Sequence, residues 1–229
     1  MPAYSKILLI KKNLNINTKK YWNQRFASGN WKENGGVEET IIFAESQIPR
    51  LKLSKEFSGT ILDFGCALGD AIPVLKNSFP KAKFIGIDFS QSAIEQCIEK
   101  HGDIADFIVG TYVDVPDTDI IISSNVFEHL SNDKEIVKFL KNKCKELYTF
   151  TPYNERINAK EEHVNSYTLN YFKSISKNYT YEIFKVKGYA PSFLSTLYNI
   201  YFKNIFRRLV GIQTLRPVLQ IMYVFKNHN

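Results

Sequence analysis

Cysteine is scarce in this chain. Its three cysteines, Cys66, Cys97 and Cys144, are too few and too dispersed for a disulfide framework or a zinc site. A reducing compartment suits them. Long apolar runs are missing as well. Residues Ile7 to Ile10 form a run of only four, too short for a signal-peptide core or a membrane-spanning helix. A cytoplasmic protein is the expectation. Internal repeats and low-complexity tracts are absent, and so is any basic-aromatic signature of RNA binding. No nucleic-acid partner is expected.

What is present fits an ordinary folded domain. Residues 1–229 are long enough for one domain with a full core, and 44% apolar content argues against disorder. The net charge of +7 fits an anionic substrate, an anionic membrane surface or simply a basic solvated surface.

The chain is organised around residues 60–79. Thr60, Ile61 and Leu62 read as a short buried strand that ends at Asp63. Gly65 and Gly69 mark a turn, and Asp70 opens a helix with Ile72, Leu75 and Phe79 on one face. Glycine in such a turn lets the backbone approach a ligand with no Cβ in the way. The carboxyl end of a strand in an open α/β sheet is where such folds bind ligands. A dinucleotide loop would need Gly-x-Gly-x-x-Gly, and Ala67 and Asp70 occupy its middle and last glycine positions. An acid two residues before the first glycine points instead to a cationic or hydroxyl-bearing ligand. The next apolar strand, Phe84-Ile85-Gly86-Ile87, ends in Asp88, 25 residues after Asp63. An acid there can accept both hydroxyl protons of a ribose.

The rest of the chain alternates between strand and helix patterns, which implies a parallel sheet. Thr18 caps a helix over 19–26, and a second helix is expected over 38–51, with Gly29, Trp31, Gly35 and Gly36 in a loop between them. Ser92 to Glu95 reads as a capping box for the helix that ends at Gly102. Further strands are expected at 106–109, 119–124, 147–150, 181–186 and 220–225, and further helices around 136–140 and over 168–176. Residues 1–55 are expected to hold an arm and helices, and 187–218 a basic amphipathic helical insertion before the last strand. In the insertion Ser192, Thr196, Asn199, Lys203 and Arg207 form a polar stripe, with Leu194, Leu197, Tyr198, Tyr201, Ile205 and Leu209 on the remainder. Such a helix packs on its own domain, dimerises, walls a substrate pocket or lies on an anionic membrane.

Three motifs together, Asp-Phe-Gly-Cys-Ala-Leu-Gly (63–69), Gly-Ile-Asp-Phe-Ser (86–90) and Ser-Asn-Val-Phe-Glu-His-Leu (124–130), resemble a class I S-adenosylmethionine-dependent methyltransferase. The resemblance covers roughly residues 20–175 and departs at Ala67, a position most often glycine. It implies an α/β, Rossmann-like sheet of seven strands in the order 3-2-1-4-5-7-6, the seventh antiparallel, with helices on both faces. It implies S-adenosyl-L-methionine as cofactor. Asp63, Gly65, Cys66, Ala67 and Gly69 would then form its turn, and Asp88 and Phe89 its ribose site. Thr111 and Tyr112 would edge the adenine, and Asn125 and Val126 would lie beside the methyl group. Tyr21-Trp22-x-x-Arg25-Phe26 resembles the lid helix of such enzymes, with Arg25 on the cofactor's carboxylate.

Methyl transfer needs an aligned nucleophile, and a hydroxyl acceptor gains from a base. His129 and His163 are the candidates, both on the carboxyl edge of the sheet. Some quinone- and RNA-methylating relatives hold a divalent metal at this point with Glu-x-x-Glu-His or Glu-x-x-His-His. Here the first position is Asn125, so no metal is expected beside Glu128, His129 and His163. A looser resemblance to bacterial methyltransferases of surface-glycan and secondary metabolism implies a small-molecule or saccharide acceptor, methylated at oxygen. The basic surface would suit a phosphorylated or nucleotide-linked one. Alternatives are a quinone or lipid methyltransferase in peripheral contact with a membrane, an RNA or protein methyltransferase, and a non-catalytic cofactor-binding subunit.

Overall fold

The computed structural model describes residues 16–157, 160–186 and 218–227, together with Ile205 and Leu209. The expected arm over 1–15 lies outside the described residues. So does the expected insertion, apart from Ile205, Leu209 and Val218; the first two are helical and exposed.

Seven strands form one sheet: β1 (Thr60–Phe64), β2 (Lys83–Asp88), β3 (Asp106–Val109), β4 (Thr118–Ser124), β5 (Cys144–Pro152), β6 (Tyr179–Lys185) and β7 (Leu219–Lys226). Their order is β3-β2-β1-β4-β5-β7-β6, as expected. β3, β2, β1, β4 and β5 run parallel, and β7 pairs antiparallel with both β5 and β6. Both faces of the central strands are buried, so alternate residues feed two cores. Leu62, Ile121, Leu147 and Tyr223 point to one. Ile61, Ile120, Tyr148 and Met222 point to the other.

Helices α1 (Lys19–Ala27), α2 (Asn30–Glu33) and α3 (Gly36–Gln47) precede the sheet, and α4 (Ala71–Ser78), α5 (Gln91–His101) and α6 (Asp133–Lys141) connect its parallel strands. Ile136, Val137 and Leu140 of α6 close the first core. Ile72 and Leu75 of α4, with Ile42 and Phe43 of α3, close the second. The parallel strands therefore end together on one edge, beneath α1 to α3.

Local expectations differ from the structure at three places. The cap of α5 is Ser90, whose Oγ accepts from the Ala93 amide at 3.3 Å, and not Ser92. Ser92 is drawn away by Asn23 of α1, to whose carbonyl its Oγ donates at 2.9 Å. The expected loop after α1 contains the helical turn α2, because Trp31 packs edge-on against Trp22 and Phe26. The expected helix over 168–176 is a chain of tight turns instead. Phe172 is fully buried among Tyr167, Tyr223 and Phe225, and the Tyr223 hydroxyl takes the Thr168 carbonyl at 2.6 Å. Those contacts hold the backbone more firmly than helical periodicity does.

Thr18 caps α1 as expected, accepting from the Tyr21 amide at 3.2 Å. Gly65 has φ +78°, and a Cβ there would sit inside the Val126 side chain. Gly65→Ala therefore combines left-handed backbone strain with overpacking and should destabilise the protein by about 2–4 kcal/mol. Urea denaturation checks this, and an unchanged midpoint would contradict it.

Candidate active site

The turn after β1 is held by the end of β2. The Ile87 carbonyl accepts from the amides of Gly65 (2.8 Å) and Cys66 (3.1 Å), and the Ala67 amide donates to Asp88 Oδ2 at 3.1 Å. Gly65, Ala67 and Gly69 all have positive φ, with Ala67 at +49°. A non-glycine residue in that region is strained by roughly 1–2 kcal/mol. The bond to Asp88 and the Cys97 thiol on the Ala67 carbonyl, at 3.2 Å, hold it there.

Above this turn lies a cavity of about 570 Å³. Asp63, Gly65, Cys66, Ala67, Asp88 and Phe89 line its floor, and Thr111, Tyr112, Asn125 and Val126 line its sides. Gly69 and Tyr21 stand outside the lining. Gly69 faces Cys97, His101 and Phe107, and the Tyr21 hydroxyl bonds Glu162. Thr111 is tied to Asp114 by its amide at 2.8 Å, and Tyr112 packs edge-on against Phe139. Asn125 has φ +53° and accepts a 2.8 Å bond from Gln220 Nε2.

The floor is acidic, and its carboxyl groups are buried. Burial pushes Asp63 up to about 7, with the Asp88 charge adding to it, and pushes Asp88 up to about 6. The Asp88 carboxylate is partly compensated by the amides of Ala67 and Ser90, the latter at 2.9 Å.

Both histidines meet at the end of β4. A turn over Phe127–His129 presents Glu128 and His129, and His163 comes from the loop after β5. Asn165 Nδ2 fixes that loop by donating to the Phe127 (3.0 Å) and Leu130 (2.7 Å) carbonyls. The two imidazole rings lie edge-on, 5.0 Å between centroids. His129 Nδ1 donates to the Glu162 carbonyl at 3.1 Å, and His163 Nδ1 bonds the Glu155 carboxylate. Each Nε2 is thereby left as the remaining ring donor or acceptor. Burial, and then the His163 charge, lower His129 to about 4, so it is neutral at pH 7. Glu128 is fully buried, its Oε2 has no partner, and burial pushes its carboxyl up to about 8. The ligand atoms of Glu128, His129 and His163 lie within 4.8 Å of one another. In a closed tetrahedral zinc shell they would be about 3.4 Å apart, as bonds near 2 Å require. The set is wider than that.

Four of the groups facing the cavity were not foreseen from sequence. Glu155 precedes His163 by eight residues with no regular spacing to signal it. Glu162 bonds both Tyr21 and Arg25 of α1. Gln47 of α3 donates to Ser124 Oγ (2.8 Å) and to Gln220 Oε1 of β7 (3.0 Å), joining three elements distant in sequence.

The family described as a methyltransferase domain matches residues 62–147. Trans-aconitate 2-methyltransferase of Afipia carboxidovorans is 34% identical over 102 residues, 42% of this chain and 38% of that protein. Ribosomal RNA small subunit methyltransferase H of Coprothermobacter proteolyticus is 34% identical over 83 residues, 35% of this chain and 27% of that protein. The chain thus spans less than half the length of these curated relatives. Among solved structures, the plantazolicin methyltransferase BpumL in complex with SAH superposes with a TM-score of 0.58 at 20% identity, over 96% of this chain and 100% of that one. A chain of the complex between the Haloferax volcanii Trm112 methyltransferase activator and a methyltransferase gives 0.66 at 15% identity, over 90% and 98%. At such identities the likeness is one of fold. The chain shares the fold of these methyltransferase structures, and its central residues 62–147 match the methyltransferase-domain family.

Asp63, Asp88 and Glu128 bind their protons more tightly folded than unfolded. Their contribution to stability is complete below about pH 4 and is lost as pH rises through the folded values, about 6 to about 8. Glu128→Gln cannot ionise, so it should stabilise the protein at pH 9 by roughly 1–4 kcal/mol over wild type and change little at pH 5. Thermal melts across that range check this. Parallel curves for the two proteins would show that Glu128 is not held neutral.

Proposed function

We propose that this chain binds S-adenosylmethionine in the cavity over β1, β2 and β4 and transfers its methyl group to a hydroxyl of a small-molecule or saccharide acceptor. The observation that carries this reading is the Glu155–His163 pair at the cavity wall beside the end of β4. The cofactor supplies an electrophilic methyl carbon on a sulfonium. Asp88 accepts the ribose hydroxyls, and Asp63 offers a second buried acceptor on the same floor. Thr111 and Tyr112 edge the adenine. Arg25 takes the carboxylate.

The acceptor hydroxyl gives its proton to His163 Nε2 as its oxygen bonds the methyl carbon and the carbon–sulfur bond breaks. Glu155 holds the His163 tautomer and balances the imidazolium that forms, as a carboxylate on Nδ1 does in other base dyads. The bond to His163 is the main cause that keeps Glu155 below the usual carboxylate range. His129, neutral and tied to the Glu162 carbonyl, is the secondary candidate. It lacks a carboxylate partner.

The charge at this end bears on the acceptor. Glu128, Glu155 and Glu162 line it, against Lys160 and Arg25, the latter already paired with Glu162. That balance favours a neutral acceptor over one carrying phosphate or a nucleotide. A neutral amine is the second reading, since His163 with Glu155 beside it could take the proton that its methylation releases. The basic surface is thereby separated from the acceptor's charge. Among the described residues no helix is long and apolar enough to cross a membrane.

Two substitutions separate cofactor from acceptor chemistry. Asp88→Ala removes a charged hydrogen-bond partner worth roughly 1.5–3 kcal/mol and should weaken S-adenosylhomocysteine by about 10- to 150-fold in calorimetry. His163→Ala should keep that affinity and depress methyl transfer about 10²- to 10⁴-fold, read with radiolabelled cofactor against a panel of polyols, phenols and amines. Transfer that survives His163→Ala would rule out this base.

A further inference from the structure

Glu162 is the point where the loop after β5 meets the lid. Its carbonyl accepts from Asn17 Nδ2 (2.7 Å) and His129 Nδ1 (3.1 Å), and its Oε1 accepts from both the Tyr21 hydroxyl and Arg25 Nη1. Oε2 accepts no hydrogen bond among the described residues. Arg25 is similarly half-spent, since its Nε is buried without a partner. Its guanidinium sits 5.2 Å and 5.4 Å from the Trp22 and Trp31 ring centres, which limits its freedom to turn elsewhere. Both groups line the cavity, and Trp22 and Phe26 of the same helix pack with Leu68 and Ala67 of the β1 turn.

The pair therefore offers one unspent anionic oxygen and one unspent cationic N–H side by side. A lone anion entering there would face the Glu162 charge, and a lone cation would face Arg25. A zwitterion satisfies both. We propose that Glu162 is a cofactor-binding residue, taking the α-ammonium of the amino-acid end of S-adenosylmethionine while Arg25 takes the α-carboxylate. This rests on the cofactor reading above and extends it to a residue with no motif around it. Glu162 is ionised for the task. Burial raises its carboxyl, but the Tyr21 hydroxyl and the Arg25 charge more than offset that and hold it below the usual range. Seating the ammonium on Glu162 also ties cofactor entry to the histidines, because its carbonyl orients His129 and His163 is the next residue.

Calorimetry on the full chain tests this with two ligands, S-adenosylhomocysteine and 5′-methylthioadenosine, which shares the adenosyl thioether but has no amino-acid end. Glu162→Gln keeps the side-chain shape, an acceptor for Tyr21 and the backbone bonds. It should weaken S-adenosylhomocysteine by about 10- to 100-fold, the range of a charge-assisted hydrogen bond, and leave methylthioadenosine within about twofold. Unchanged or tighter S-adenosylhomocysteine binding would overturn the proposal, making Glu162 a counter-ion that the cofactor displaces. Equal loss of both ligands would overturn it too, making the pair structural. If wild type binds neither ligand, the cofactor reading itself fails, a result distinct from either.

Discussion

A carboxylate taken out of water at the end of β2 is the constraint that the site depends on. Asp88 is 6% exposed, and its charge is met by two backbone amides, Ala67 from the turn after β1 and Ser90 at the cap of α5. A buried anion without such bonds would be neutralised or would unfold its surroundings. Those bonds therefore do structural work first. They hold Ala67 in a left-handed conformation and, with the Ile87 carbonyl, lay the β1 turn across β2. Two amides do not restore Asp88 to its ordinary acidity, and Asp63 beside it has still less compensation. The floor is left short of hydrogen-bond donors, a deficit that the ribose hydroxyls of the proposed cofactor would fill.

The opposite wall repeats the arrangement with different parts. Glu128, Glu155 and Glu162 bring three acids to one region, and each is treated differently. Burial keeps Glu128 protonated, while His163 keeps Glu155 ionised and the Tyr21–Arg25 pair keeps Glu162 ionised. The three carboxyl groups thus differ in charge: Glu128 is neutral, and Glu155 and Glu162 are anions held by different partners. Helix α1 reaches the same place. Trp22 of α1 lies edge-on to His129, 5.1 Å between ring centres, so the helix beside the cavity also buttresses the histidine corner.

The sheet and the cavity floor were legible in sequence because their signals are local. Thr60 to Gly69 carries strand, acid and turn in ten consecutive residues, and Phe84 to Asp88 carries the next strand and its acid in five. Each pattern is dictated by neighbours along the chain. The acceptor side was only half legible. His129 and His163 could be placed on the right edge because strand ends are readable, but Glu155, Glu162, Gln47 and Gln220 could not. Glu155 sits in the same irregular loop as His163, and the partners of the other three lie on other elements, 173 residues apart for Gln47 and Gln220. Ser92 shows the same limit at short range. Its Ser-x-x-Glu spacing fits a capping box, yet the Asn23 carbonyl and side-chain oxygen on α1 compete for it and Ser90 caps the helix. Tertiary contact, invisible in the spacing, decided between two serines two residues apart.

A crystal structure of the chain with S-adenosylhomocysteine bound tests the account most directly. The account predicts the ribose hydroxyls on Asp88, the adenine between Phe89 and Tyr112, and the homocysteine end pointing toward Arg25 with its sulfur near the Glu128–His163 wall. Density for the ligand elsewhere, or in this cavity with the ribose away from Asp88, would contradict it.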